Sequence, residues 1–144
     1  MKKLFVLIIL VFAVCSCEKD GTNKIEEEKS ITLPVLTSST VSEITETSVK
    51  SGGNITNDGG APITARGICW STSANPTTND NRTLDGTNAG SFTSSLNDLV
   101  ENTIYYLRAY ATNSEGTSYG NELSFKTLEK PKLVIEGDVN LRTQ

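Results

Sequence analysis

Histidine is absent from the 144 residues, and with it go the commonest general base and the commonest transition-metal ligand. Hydrolytic triads and histidine-held zinc are excluded together. Positive charge is also scarce: 13 lysines and arginines face 17 acids, for a formal net charge of −4. Loss of Lys2 and Lys3 with a leader lowers that to −6. No basic stripe exists to release counterions from phosphate, so no nucleic-acid partner is expected. Cysteine is limited to Cys15, Cys17 and Cys69. With the first in a leader and the second modified at its end, the mature chain has no disulfide and must be held by packing. Long apolar runs are missing too, since the longest, residues 4–14, spans 11 residues, short of the roughly 20 that cross a bilayer as a helix.

The acids do not compensate as chemistry. Glu26, Glu27 and Glu28 bunch together with no glycine at a loop position. Residues 80–85 have the composition of a calcium loop, but counting from Asn81 puts Phe92 where the closing glutamate belongs. No metal and no cofactor are expected. Cys69 lacks a histidine or helix N-terminus to activate it, and Arg108 is its one candidate neighbour, so an inert thiol is expected. A glycan-acting enzyme built on carboxylates alone is the rival class. The acids fall in tether, turn and outward positions with no cleft to split their pKa values, and a non-enzymatic protein is expected.

What is present begins with an export signal: Lys2 and Lys3, the apolar run, then small residues. Val14-Cys15-Ser16-Cys17 resembles the lipobox of bacterial lipoproteins, with an aliphatic residue three before the cysteine and a small one directly before it. That resemblance implies a signal peptide over 1–16, acylation at Cys17, and attachment to a membrane through lipid, each buried methylene contributing about 0.8 kcal/mol. Glu18, Lys19 and Asp20 are similar to signals that place lipoproteins on the outer face of the outer membrane. Residues 17–32 are almost wholly polar and read as a flexible acidic tether.

The globular pattern occupies 33–128. Period-2 alternation predicts strands over 35–40, 48–56, 63–71, 91–96, 105–111 and 119–127, with a short one near Leu84 pinning the polar 71–90 connection. Asn57 to Pro62 and Thr112 to Gly116 are dense in turn formers. In the strongest strand, Tyr105, Leu107, Ala109 and Ala111 share one face and Tyr106, Arg108 and Tyr110 the other. The second set is the candidate binding face for a glycan or protein ligand, since tyrosine and arginine are enriched in binding hot spots. A cross-strand ladder that only stabilises the sheet is the competing reading. Residues 129–144 carry a further apolar alternation and are expected to form a tail or an added strand.

From 35 to 127 the sequence resembles fibronectin type III-like modules. The residues that carry it are Gly52-Gly53-Asn54-Ile55, Gly59-Gly60-Ala61-Pro62, the run from Ala65 to Ser71, Gly90-Ser91-Phe92, Asn102-Thr103 with Tyr105-Tyr106, and Tyr119-Gly120-Asn121-Glu122. The resemblance implies an all-β, seven-stranded antiparallel sandwich behind the leader and tether. It also implies a tyrosine corner in which Tyr105, with Leu99, ties its hydroxyl back to upstream backbone. Ile68 and Trp70 then face the core with Arg66 near the rim, and Gly67 lies beneath the ring of Tyr106 or Tyr110. Glu101 stands where such modules usually have proline. The fold implies adhesion, ligand presentation or spacing without naming a partner. A first module of a longer secreted lipoprotein, its activity in a later domain, is the alternative expectation.

Overall fold

The computed structural model describes residues 29–132. Cys17, the leader, most of the tether and the 133–144 tail lie outside them. Eight strands follow in order: β1 (Val35–Ser42), β2 (Val49–Asn57), β3 (Ala65–Ser71), β4 (Asn81–Arg82), β5 (Gly90–Leu96), β6 (Ile104–Thr112), β7 (Thr117–Tyr119) and β8 (Leu123–Lys126). They form two antiparallel sheets, one in the order β1-β2-β5 and the other β4-β3-β6-β7, with β8 also on β6.

Alternation decides what the sheets enclose. Val49, Ser51 and Ile55 of β2 and Tyr105, Leu107, Ala109 and Ala111 of β6 are buried between the sheets with Ile68, Phe92, Leu96 and Phe125. Ile68, Leu96 and Leu107 have no exposed surface, and burial on that scale contributes about 1.5–3 kcal/mol each. Tyr105 and Phe125 stack with centroids 5.7 Å apart. Gly53 sits where a Cβ would fall 2.7 Å from the Ala109 methyl and 2.9 Å from the Phe92 ring. The missing side chain is the space that Phe92 fills.

The strand count is eight rather than seven because two strands, β7 and β8, stand where one over 119–127 was expected. At the break the edge strand β1 reaches across from the other sheet. Ser38 N–H donates to Asn121 Oδ1 (3.0 Å), its hydroxyl donates to Asn121 O (2.6 Å), and Ala109 N–H donates to that same hydroxyl (2.9 Å). A Cβ on Gly120 would lie 2.6 Å from Ser38 N, so glycine is what lets the two backbones meet. One extra residue on this side of the pairing, between Tyr119 opposite Tyr110 and Leu123 opposite Leu107, is a bulge that ends β7 before β8 begins.

Candidate functional site

The outward row on β6 is where sequence reasoning placed a binding face, and its three residues have different fates. Tyr110 is 2 % exposed, and its hydroxyl donates to Thr83 O at 2.6 Å. Burial is the main reason its pKa rises, with the charges of Asp85, Cys69 and Tyr119 adding and Arg82 opposing. Arg108 lies 4.7 Å over the Tyr119 ring and donates through Nε to Gly120 O at 3.1 Å. Tyr106 remains half-buried beside Ser71 and Ser124. Tyr110 is therefore not available to a ligand, and Arg108 is largely committed to the fold.

The cover is the polar segment between β3 and β5, which folds back over the outer face. Pro76 is fully buried and accepts at its carbonyl from the Cys69 thiol at 3.4 Å. Thr78 bonds the Tyr119 hydroxyl through N–H and Oγ at 3.2 and 3.1 Å. Leu84, expected to pin this segment, is 73 % exposed; Pro76 does so instead. Gly67 faces Tyr110 across the strands, but a Cβ there would strike the backbone of Thr83, not a ring. Thr83 Oγ accepts from Ile68 N–H at 2.9 Å, and Asp85 accepts from the hydroxyls of Thr83 and Ser94. Cys69 is fully buried, and loss of water pushes its thiol up to about 11, against a smaller lowering pull from Arg108. Arg66 lies at the rim with its guanidinium 5.0 Å over Phe92, donating through Nε to Asp85 O at 3.1 Å.

Two further clusters fasten the ends. At the turn before β6, Leu99 is buried and Val100 N–H donates to the Tyr105 hydroxyl at 3.0 Å. Thr127 Oγ donates to Val100 O at 2.7 Å and accepts from Thr103 N–H at 2.9 Å. Glu101, in place of proline, takes the Lys130 amide at 3.0 Å and so holds the departing chain. At the opposite end Asn113, buried and overlooked in the sequence as part of a plain turn, donates to Thr32 O and Asp58 O at 2.7 and 2.8 Å. Its Oδ1 accepts from the amides of Glu115 and Gly116.

Between the open edges of the two sheets, at the end carrying the β5–β6 turn, lies a cavity of about 380 Å³ lined by Trp70, Asn81, Ser95, Asn97, Asp98, Leu99 and Tyr105. Trp70 and Asn81 face each other across β3 and β4. Asp98 has a φ of 57°, a left-handed turn conformation that aspartate and asparagine tolerate better than most residues. Sequence reasoning found the aromatic residues here but not the group, because only strand pairing brings residues 70, 81 and 97 together.

The architecture is similar to that of the fourth FNIII domain of a human protein, solved in solution, at 18 % identity over 81 % of this chain and 95 % of that one, with a TM-score of 0.52. The described domain is a fibronectin type III-like sandwich. The sensor domain of the anti-sigma factor RsgI4 in Pseudobacteroides cellulosolvens aligns with this sandwich at 20 % identity over 69 % of this chain and 98 % of that one, TM-score 0.49. A fibronectin type III domain from the human KIAA0970 protein aligns at 14 % identity over 81 % of this chain and 91 % of that one, TM-score 0.49. No family model and no curated protein sequence matches the chain. At such identities the likeness is one of fold, so a role for this fibronectin type III-like sandwich has to come from its own surface.

Proposed function

We propose that the chain is a non-enzymatic lipoprotein, acylated at Cys17 and held at the outer face of an outer membrane, whose fibronectin type III-like sandwich presents a ligand-binding surface. The supporting observation is the end at which the chain enters the sandwich. Its N-terminal lead is bound at one end, where Thr32 N–H donates to Gly59 O at 2.8 Å and Asn113 clasps Thr32 O. The Trp70 cavity lies at the other end, beside the β5–β6 turn. The described lead therefore enters the sandwich at the end opposite the cavity. The non-enzymatic reading is supported by Asp85, which is occupied by the hydroxyls of Thr83 and Ser94 instead of facing a partner acid.

Radiolabelled palmitate tests the anchor: incorporation is expected in the native chain and not in Cys17→Ala, and equal labelling of both refutes it. Protease added to intact cells tests the orientation, with loss of the sandwich expected at the exterior and full protection counting against surface display.

A further inference from the structure

We infer that the Trp70 cavity is a subsite for a short, neutral saccharide. This rests on the display role proposed above and gives it a ligand class.

Size and composition agree. A volume of about 380 Å³ falls within the ~300–1,000 Å³ of small-molecule sites and leaves room for a short saccharide. Its aromatic surface comes from the half-buried indole of Trp70, with the buried Tyr105 and Leu99 completing the apolar lining. A pyranose has a face of C–H groups that packs on such a ring, whose π-cloud is electron-rich. Around that surface stand Asn81, Ser95, Asn97 and Asp98. A sugar hydroxyl both donates and accepts, and carboxamides supply one group of each kind, which suits them to neighbouring hydroxyls. No lysine or arginine lines the cavity and its one charge is negative. Phosphorylated, sulfated or carboxylated ligands are thereby disfavoured.

All four polar side chains are exposed, so solvent rather than the protein bonds them. Among the described residues, the side chains of Asn81, Ser95, Asn97 and Asp98 make no hydrogen bond within the chain. Water serves them in its place, and a hydroxyl-rich ligand can replace that water without leaving a polar group unpaired.

Trp70 is the only tryptophan in the sequence, so its fluorescence reports on this cavity alone. The full chain, solubilised in a detergent without sugar headgroups, is titrated with cellobiose, maltose, lactose and diacetylchitobiose, with glucose 6-phosphate as the anionic comparison. A saturable change in emission is expected with at least one neutral disaccharide. Asn81→Ala and Asn97→Ala are expected to weaken it about tenfold each, the equivalent of one good hydrogen bond. Asp98→Asn keeps a residue that tolerates the left-handed turn and is expected to weaken binding a few-fold. It is the informative variant if either alanine disturbs folding. Tyr106→Ala, on the other face, is expected to change nothing. The inference is overturned by an unchanged emission with every neutral sugar, by a response confined to the phosphorylated sugar, or by a response that persists undiminished in folded variants. Unchanged emission with intact palmitate labelling removes the saccharide site and leaves the display role standing; lost labelling with a saturable response does the reverse.

Discussion

The two faces of β6 bury a tyrosine each, and they do so by different means. On the inner face Tyr105 stacks on Phe125 within an apolar layer closed by the opposite sheet. On the outer face Tyr110 is more deeply buried, yet its cover is one polar segment held by backbone carbonyls, hydroxyls and a single proline. The inner layer is a core over which a second sheet closes. The outer one is a satellite whose integrity depends on a few directed bonds, and segments of that kind open locally at lower cost than the whole fold.

The comparison breaks hardest in the core. Leu107→Ala is expected to cost about 3 kcal/mol in chemical denaturation, since a fully enclosed leucine leaves a cavity the sheets cannot collapse into. Gly67→Ala, which drives a methyl into the Thr83 backbone, is expected to cost about 1–3 kcal/mol and to speed amide exchange in the 81–86 segment ahead of the sandwich. A uniform loss of protection in both regions would mean that the two layers are one cooperative unit.

Removing single hydroxyls sharpens the contrast. Tyr105→Phe and Tyr110→Phe are each expected to cost about 1 kcal/mol, the first by freeing the Val100 amide and the second by freeing the Thr83 carbonyl. Tyr106→Phe is expected to stay within about 0.5 kcal/mol. Only Tyr110→Phe should raise exchange at residues 81–86.

A last test is read from pH. The Cys69 thiol rises from an ordinary 9.0 to about 11 in the folded chain, so above pH 9 the unfolded chain gives up a proton that the folded one keeps. Stability is therefore expected to fall between about pH 9 and pH 11, and less steeply in Cys69→Ala. Tyr110 shifts in the same direction and adds to the decline at the upper end. At pH 8 the native thiol is expected to resist alkylation, and rapid labelling would show that the satellite is open.

Much of the fold could be read in advance. Strict alternation in β2 and β6 reports burial because successive side chains point to opposite sides, and the inner rows are buried as that rule requires. The same rule misjudged the outer row. It states that Tyr110 and Cys69 point away from the core but carries no information on whether some other segment returns to cover them. The density of serine, threonine and asparagine in 71–90 reads as solvent-facing connection, yet those groups are what bind it down. Leu84 misled for the opposite reason: its apolar side chain marked it as a pin, and the backbone turns it outward.

The sequence by itself determined the two-layer sandwich, because periodic hydrophobicity and turn chemistry are local properties that each segment carries alone. Only the tertiary structure decided which surfaces remain open. The closure over Tyr110, the bulge at Gly120 where Ser38 crosses, and the gathering of Trp70, Asn81, Asn97 and Asp98 all depend on contacts between residues distant along the chain. No local pattern encodes such contacts, since each arises from the register in which whole strands pair.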